Sequence, residues 1–142
     1  TEVAVLKRMR WGTRCTRCMD KYTKESVRGH CTLCMGVGYQ PGYFAPVLTL
    51  AKRGVMTANT TLTAQSKTDT GMTQLMLLDV PRVDVDDIVV FLRDNRRYLV
   101  KQAANTELQT VTVHQELSCS ELARSSIEYR VVVDPTRIPS LF

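Results

Sequence analysis

From about residue 45 onward, apolar and polar positions alternate with a period of two, the pattern of strands that keep one face on a core. Val55 to Gln65 alternates threonines with apolar residues, and Ile88-Val89-Val90-Phe91-Leu92 reads as a buried run. Tyr98-Leu99-Val100 follows Arg93-Asp94-Asn95-Arg96, in which Asp94 and Asn95 tolerate the positive φ of a tight hairpin turn. Val111, Val113, Gln115 and Leu117 share one face of the next segment, with Thr110, Thr112, His114 and Glu116 on the other. Ile127 to Val133 completes the set. Five or six short strands with turn signals between them predict a mainly β chain, a small antiparallel barrel or sandwich over residues 45–134. Near 119–126 a helix capped by Ser118 or Ser120 is an alternative.

The first 44 residues have a different texture. Val5, Leu6 and Met9 fall at helical spacing, with Trp11 at the end and Gly12 where a helix terminus calls for a left-handed residue, so a short N-terminal helix is expected. A cysteine module follows over about 15–38, and Gly36, Gly38, Pro41 and Gly42 punctuate its end. The organisation read from this is a helix plus cysteine module over 1–44, a barrel over 45–134 and an extended arm over 135–142. Two prolines keep that arm irregular, while Ile138, Leu141 and Phe142 must lie against something, either its own barrel or a neighbouring subunit.

Cys15-x2-Cys18 and Cys31-x2-Cys34, twelve residues apart, carry the chemistry. Two Cys-x-x-Cys turns deliver two thiolates each, which together complete a tetrahedral structural Zn2+ site. Disulfides are the competing use, but cysteines three apart in a tight turn pair poorly and close too small a loop to brace much. A redox pair is the other alternative. His30, beside Cys31, is placed to substitute as a ligand or to hydrogen-bond to one. Cys119 is left over, which argues against a disulfide framework and fits a structural thiol in a reducing, non-secreted setting.

Charge changes the picture less than the net +5 suggests. Residues 1–44 hold eight basic side chains against three acidic ones, so this segment carries the whole excess and the remainder is neutral. Four thiolates around one Zn2+ would leave the site at −2, which the surrounding Arg and Lys partly balance. What is left suits modest attraction to DNA or to an acidic protein surface, with Arg10, Arg14, Arg17 and Arg28 as the candidate contacts. No stretch is long and apolar enough to span a bilayer, and no leader is evident.

An enzyme is not expected. Four cysteines leave no open metal position for water, His114 lies on a polar strand face, and neither a nucleophile motif nor a phosphate-cradling loop is present. Asp84-Val85-Asp86-Asp87 lacks calcium-loop spacing and reads as a loop with its carboxylates in water.

Cys31-Thr32-Leu33-Cys34-Met35-Gly36-Val37-Gly38 resembles the repeat of the cysteine-rich region of DnaJ-type chaperones. There the glycines permit a bend that aims amide N–H groups at thiolate sulfur. The motif stands once here, its partner Cys15–Cys18 lacks the glycines, and the likeness supports a metal rather than a chaperone.

A wider resemblance spans most of the chain. Trp11-Gly12-Thr13-Arg14-Cys15-Thr16-Arg17-Cys18, the spacer Thr23–Arg28 and Cys31 to Tyr43 look like the cysteine-rich openings of some tailed-bacteriophage neck proteins. Val83 to Val89, Arg97-Tyr98-Leu99-Val100, Val113 to Leu117 and Ile127 to Val131 are similar to head-completion, connector or stopper β-barrels. The resemblance implies a structural virion subunit, assembled in the host cytoplasm as a six- or twelve-fold ring beneath the portal. Such a ring joins head to tail through portal or adaptor and tail proteins and surrounds or closes a channel for double-stranded DNA, without sequence specificity and without a membrane. A zinc-ribbon nucleic-acid-binding protein with a small β-barrel is the alternative.

Overall fold

The computed structural model describes residues 1–18, 22, 31–54, 57–63 and 66–138, with 57–63 and 66–71 described as backbone. Seven strands follow in chain order: β1 Glu2–Leu6, β2 Val47–Arg53, β3 Thr57–Thr63, β4 Ser66–Leu78, β5 Ile88–Phe91, β6 Arg96–Leu108 and β7 Val111–Glu121. Every pairing among them is antiparallel, in the order β2-β1-β5-β6-β7-β4-β3. A further β2–β4 ladder, Ala51 opposite Leu77 to Arg53 opposite Leu75, closes six of these strands into a barrel. Closure removes the open sheet edges that invite aggregation from the barrel portions of those six strands.

Alternation sorts the side chains as the pattern predicts. Val3, Val5, Leu75, Leu77, Val89, Phe91, Tyr98, Val100, Leu117 and Cys119 fill the interior. Asn95 takes the turn before β6 with φ 54°, as the Asp94-Asn95 signal anticipates. Gln115, buried in the same inward row, accepts the Val83 amide at 2.8 Å and donates to the carbonyls of Leu78 and Pro81, so it clips the 79–83 loop to the barrel.

Three expectations of secondary structure fail, each for a physical reason. The N-terminal segment is strand β1, not a helix: Val3-Ala4-Val5-Leu6 is an unbroken apolar run, every residue of it fully buried, lying between β2 and β5. Val3 and Val5 enter the interior, while Ala4 and Leu6 join Tyr43, Ile88, Val90 and Ile138 in a second cluster. The alternative helix near 119–126 is absent, because β7 runs on to Glu121 with Cys119 pointing inward. Ile127 to Val133 is not a strand but a turn of 3-10 helix, Ile127–Arg130, followed by irregular chain. Buried Arg97 claims the carbonyls of Glu128 and Val131, and its guanidinium lies 5.0 Å from the centre of the Tyr129 ring. Beyond it, Ile138 packs on its own barrel, while residues 139–142 lie outside the described residues, as do Val55, Met56, Ala64 and Gln65 at the edges of the expected 55–65 strand.

The cysteine segment is therefore an excursion between β1 and β2. Two long hairpins also leave the barrel, β3–β4 beyond the last β4–β7 pair and β6–β7 beyond a bulge between Val100 and Gln102.

Candidate metal centre

Two stretches, 7–15 and 38–44, form the stem that carries the cysteines away from β1 and back toward β2. They hydrogen-bond to each other as an irregular ribbon: Phe44 N–H to Lys7 O, Met9 N–H to Gly42 O, Gln40 N–H to Thr13 O and Cys15 N–H to Gly38 O, all at 2.8 to 2.9 Å. Trp11 rests on Phe44 with ring centres 5.3 Å apart.

At the end of the ribbon all four predicted ligands come together. The sulfurs of Cys15, Cys18, Cys31 and Cys34 lie within 4.8 Å of one another, all four residues are buried, and none forms a disulfide. Cys15 Sγ is 3.6 Å from Cys31 Sγ and Cys18 Sγ is 3.1 Å from Cys34 Sγ, so each contact joins one knuckle to the other. A tetrahedral site with metal–sulfur bonds of about 2.3 Å sets sulfurs roughly 3.8 Å apart. The donor set and its spacing thus fit a metal ion.

The second knuckle bends through consecutive left-handed residues, Met35 at φ 52° and Gly36 at 76°, with Val37 N–H returning to Cys34 O at 2.9 Å. Gly38 follows at φ 96° and lets its carbonyl meet Cys15 N–H. Gly42, at φ 101°, crosses so close to the knuckle that a Cβ there would collide with the Cys34 carbonyl.

Burial by itself would raise the Cys15 thiol, but the amides of Arg17 and Cys18, with the neighbouring sulfurs of Cys18 and Cys31, bring it down to about 6. Amides aimed at sulfur favour the thiolate, the form that binds metal. Cys119 is the contrast: burial in the barrel pushes its thiol up to about 12, and it plays no part in the cluster.

One carboxylate fixes the module's stem to the barrel. Asp87, fully buried, accepts the amides of Arg8 at 2.9 Å and Asp84 at 2.8 Å, and pairs with Lys7 Nζ at 3.0 Å and Arg10 Nη1 at 3.5 Å. Lys7 also reaches Asp84 at 2.8 Å and Arg82 O at 2.8 Å. That hydrogen bond holds the Asp84 carboxyl below the usual carboxylate range. The 84–87 stretch is thus a clamp rather than a loop with all its carboxylates in water, a role that emerges only once Lys7 is brought to it by the β1–β5 pairing.

Of the four candidate cationic contacts, Arg10 is committed to the clamp through Asp87 and Val85 O, whereas Arg14 and Arg17 are exposed on the module. Arg28 and His30 lie outside the described residues. His114 sits on the outer face of β7, 3.3 Å from Glu116, as its place in the alternation implies. Among the described residues no helix is long and apolar enough to cross a membrane. Comparison with protein-family models, with curated proteins and with solved structures finds no match to this chain.

Proposed function

We propose that this chain is a structural subunit of a bacteriophage neck, assembling as a ring below the portal, and that Zn2+ is the metal of its cysteine cluster. The observation that carries the reading is the way module and barrel are joined. A four-cysteine cluster stands on a hydrogen-bonded ribbon whose base is locked by a buried, doubly paired carboxylate. Such a join suits a part that transmits contact from one neighbour to another without turnover. The likeness to head-completion and stopper barrels supports the same reading. Zn2+ bound by Cys15, Cys18, Cys31 and Cys34 would crosslink the two Cys-x-x-Cys turns. Arg14 and Arg17 are the side chains offered to DNA phosphate or to an acidic neighbouring protein.

The test is reconstitution of the zinc-loaded chain with the portal and tail proteins of the same particle, followed by electron-microscopic class averages. A ring seated between portal and tail is the expected result. A chain that binds neither, yet binds DNA with an affinity falling steeply as salt rises, overturns the reading in favour of a nucleic-acid-binding protein.

A further inference from the structure

The β6–β7 hairpin leaves the barrel as an arm. Past the Val100–Gln102 bulge, Lys101 to Leu108 are all exposed, and eight residues of strand extend about 26 Å. Among the described residues no strand pairs with this stretch on the side away from β7. The arm ends in large apolar side chains: Leu108 is 69% exposed, Val111 63% and Val113 51%. Leu108 sits opposite Val111 and so shares its face, and Val113 stands close by at a register shift of β7. A second register shift, between Thr106 and Glu107, leaves Val113 unpaired and separates this tip from the inward row Gln115, Leu117 and Cys119 of the barrel. The turn between the strands is Gln109-Thr110, with φ 49° and 74°. Positive φ at both central residues makes a hairpin turn that usually takes Asn and Gly, and a β-branched residue is strained there. Such strain recurs at binding sites.

The same chain carries a shape into which this tip fits. On the outer face of β2 and β4, Leu50, Met76 and Leu78 are exposed and line a shallow groove of about 260 Å³ with Lys52 and His114 at its rim. The arm leaves its own groove open, since Leu108, Val111 and Val113 at the tip and Leu50, Met76 and Leu78 in the groove are all exposed in the same chain. Charges flanking the two surfaces are opposite, Glu107 beside the tip and Lys52 beside the groove.

We infer that the apolar tip of the β6–β7 arm docks in the β2–β4 groove of a second copy of this chain. Unlike surfaces meeting in this way form a head-to-tail contact, which closes into a ring when the rotation between subunits permits. The inference rests on the ring reading proposed above and names the contact that would build it.

The experiment uses the full zinc-loaded chain and two double variants, an arm variant, Leu108→Asp with Val111→Asp, and a groove variant, Met76→Glu with Leu78→Glu. All four positions are exposed, and metal content with circular dichroism checks that each variant folds. Sedimentation velocity should show concentration-dependent self-association of the wild type and a monomer for each variant alone. An equimolar mixture of the two variants retains one good arm and one good groove, and should give a one-to-one heterodimer that grows no further. In addition, Lys52→Glu and Glu107→Lys should each weaken association about two- to fivefold, the scale of an exposed ion pair, and restore it when combined in one chain. Self-association that survives the groove variant overturns the arm-to-groove contact and leaves the ring reading standing. A wild type that stays monomeric yet binds the portal overturns the contact alone, whereas one that neither self-associates nor binds portal or tail protein overturns both.

Discussion

Gly42 shows how one atom can decide a site. Its φ of 101° and its closeness to the Cys34 carbonyl leave no room for a side chain, so Gly42→Ala should force the second knuckle apart. The expected loss is about 1–3 kcal/mol of stability, with faster metal loss to a chelator, read by competition with a zinc indicator. Asp87 acts through charge. Asp87→Ala leaves the Arg8 and Asp84 amides and the Lys7 ammonium without their buried partner and should cost about 3–5 kcal/mol in urea unfolding. Two buried protons set the alkaline limit. Burial lifts Cys119 from 9.0 to about 12 and Tyr43 from 10.0 to about 12, so the unfolded chain gives up both protons first. The stability they contribute is fully present below about pH 9 and should fall progressively as pH rises toward 12, which a urea midpoint series in alkaline buffers measures. Cys119 should also resist alkylation after chelation has exposed the other four thiols.

At the scale of elements, the sequence was readable where the cause was local. The hairpin turn at Asp94-Asn95, the inward row Gln115, Leu117 and Cys119, and the two cysteine knuckles follow from side chains a few residues apart. Distant partners hid the rest. Val5, Leu6 and Met9 satisfy helical spacing, and only pairing with β2 and β5 makes the run a strand buried on both faces. Val111 and Val113 do not continue the face of Gln115 and Leu117 and lie exposed, because nothing local shows the register shift between Thr112 and His114 or where the barrel ends. The same is true of Ile127 to Val133, whose carbonyls are taken by an arginine some thirty residues earlier. Arg97→Met should therefore release this segment while leaving the barrel folded. Limited tryptic cleavage after Arg130 would then become several-fold faster, with little change in far-ultraviolet circular dichroism.

For the whole molecule, the barrel and the cysteine cluster have different sources of stability. The barrel is closed and filled by its own side chains. The cluster buries four sulfurs at the end of a stem held by the Asp87 clamp, and these four sulfurs are a donor set that could hold a metal ion. Removing the metal should loosen the knuckles and abolish contacts the module makes, while β1 to β7 stay paired. Native mass spectrometry of the purified chain tests the central claim most directly. One zinc ion per chain is expected, lost when Cys18→Ser or Cys31→Ser is introduced, and a folded protein carrying no bound metal would contradict a metal-pinned module.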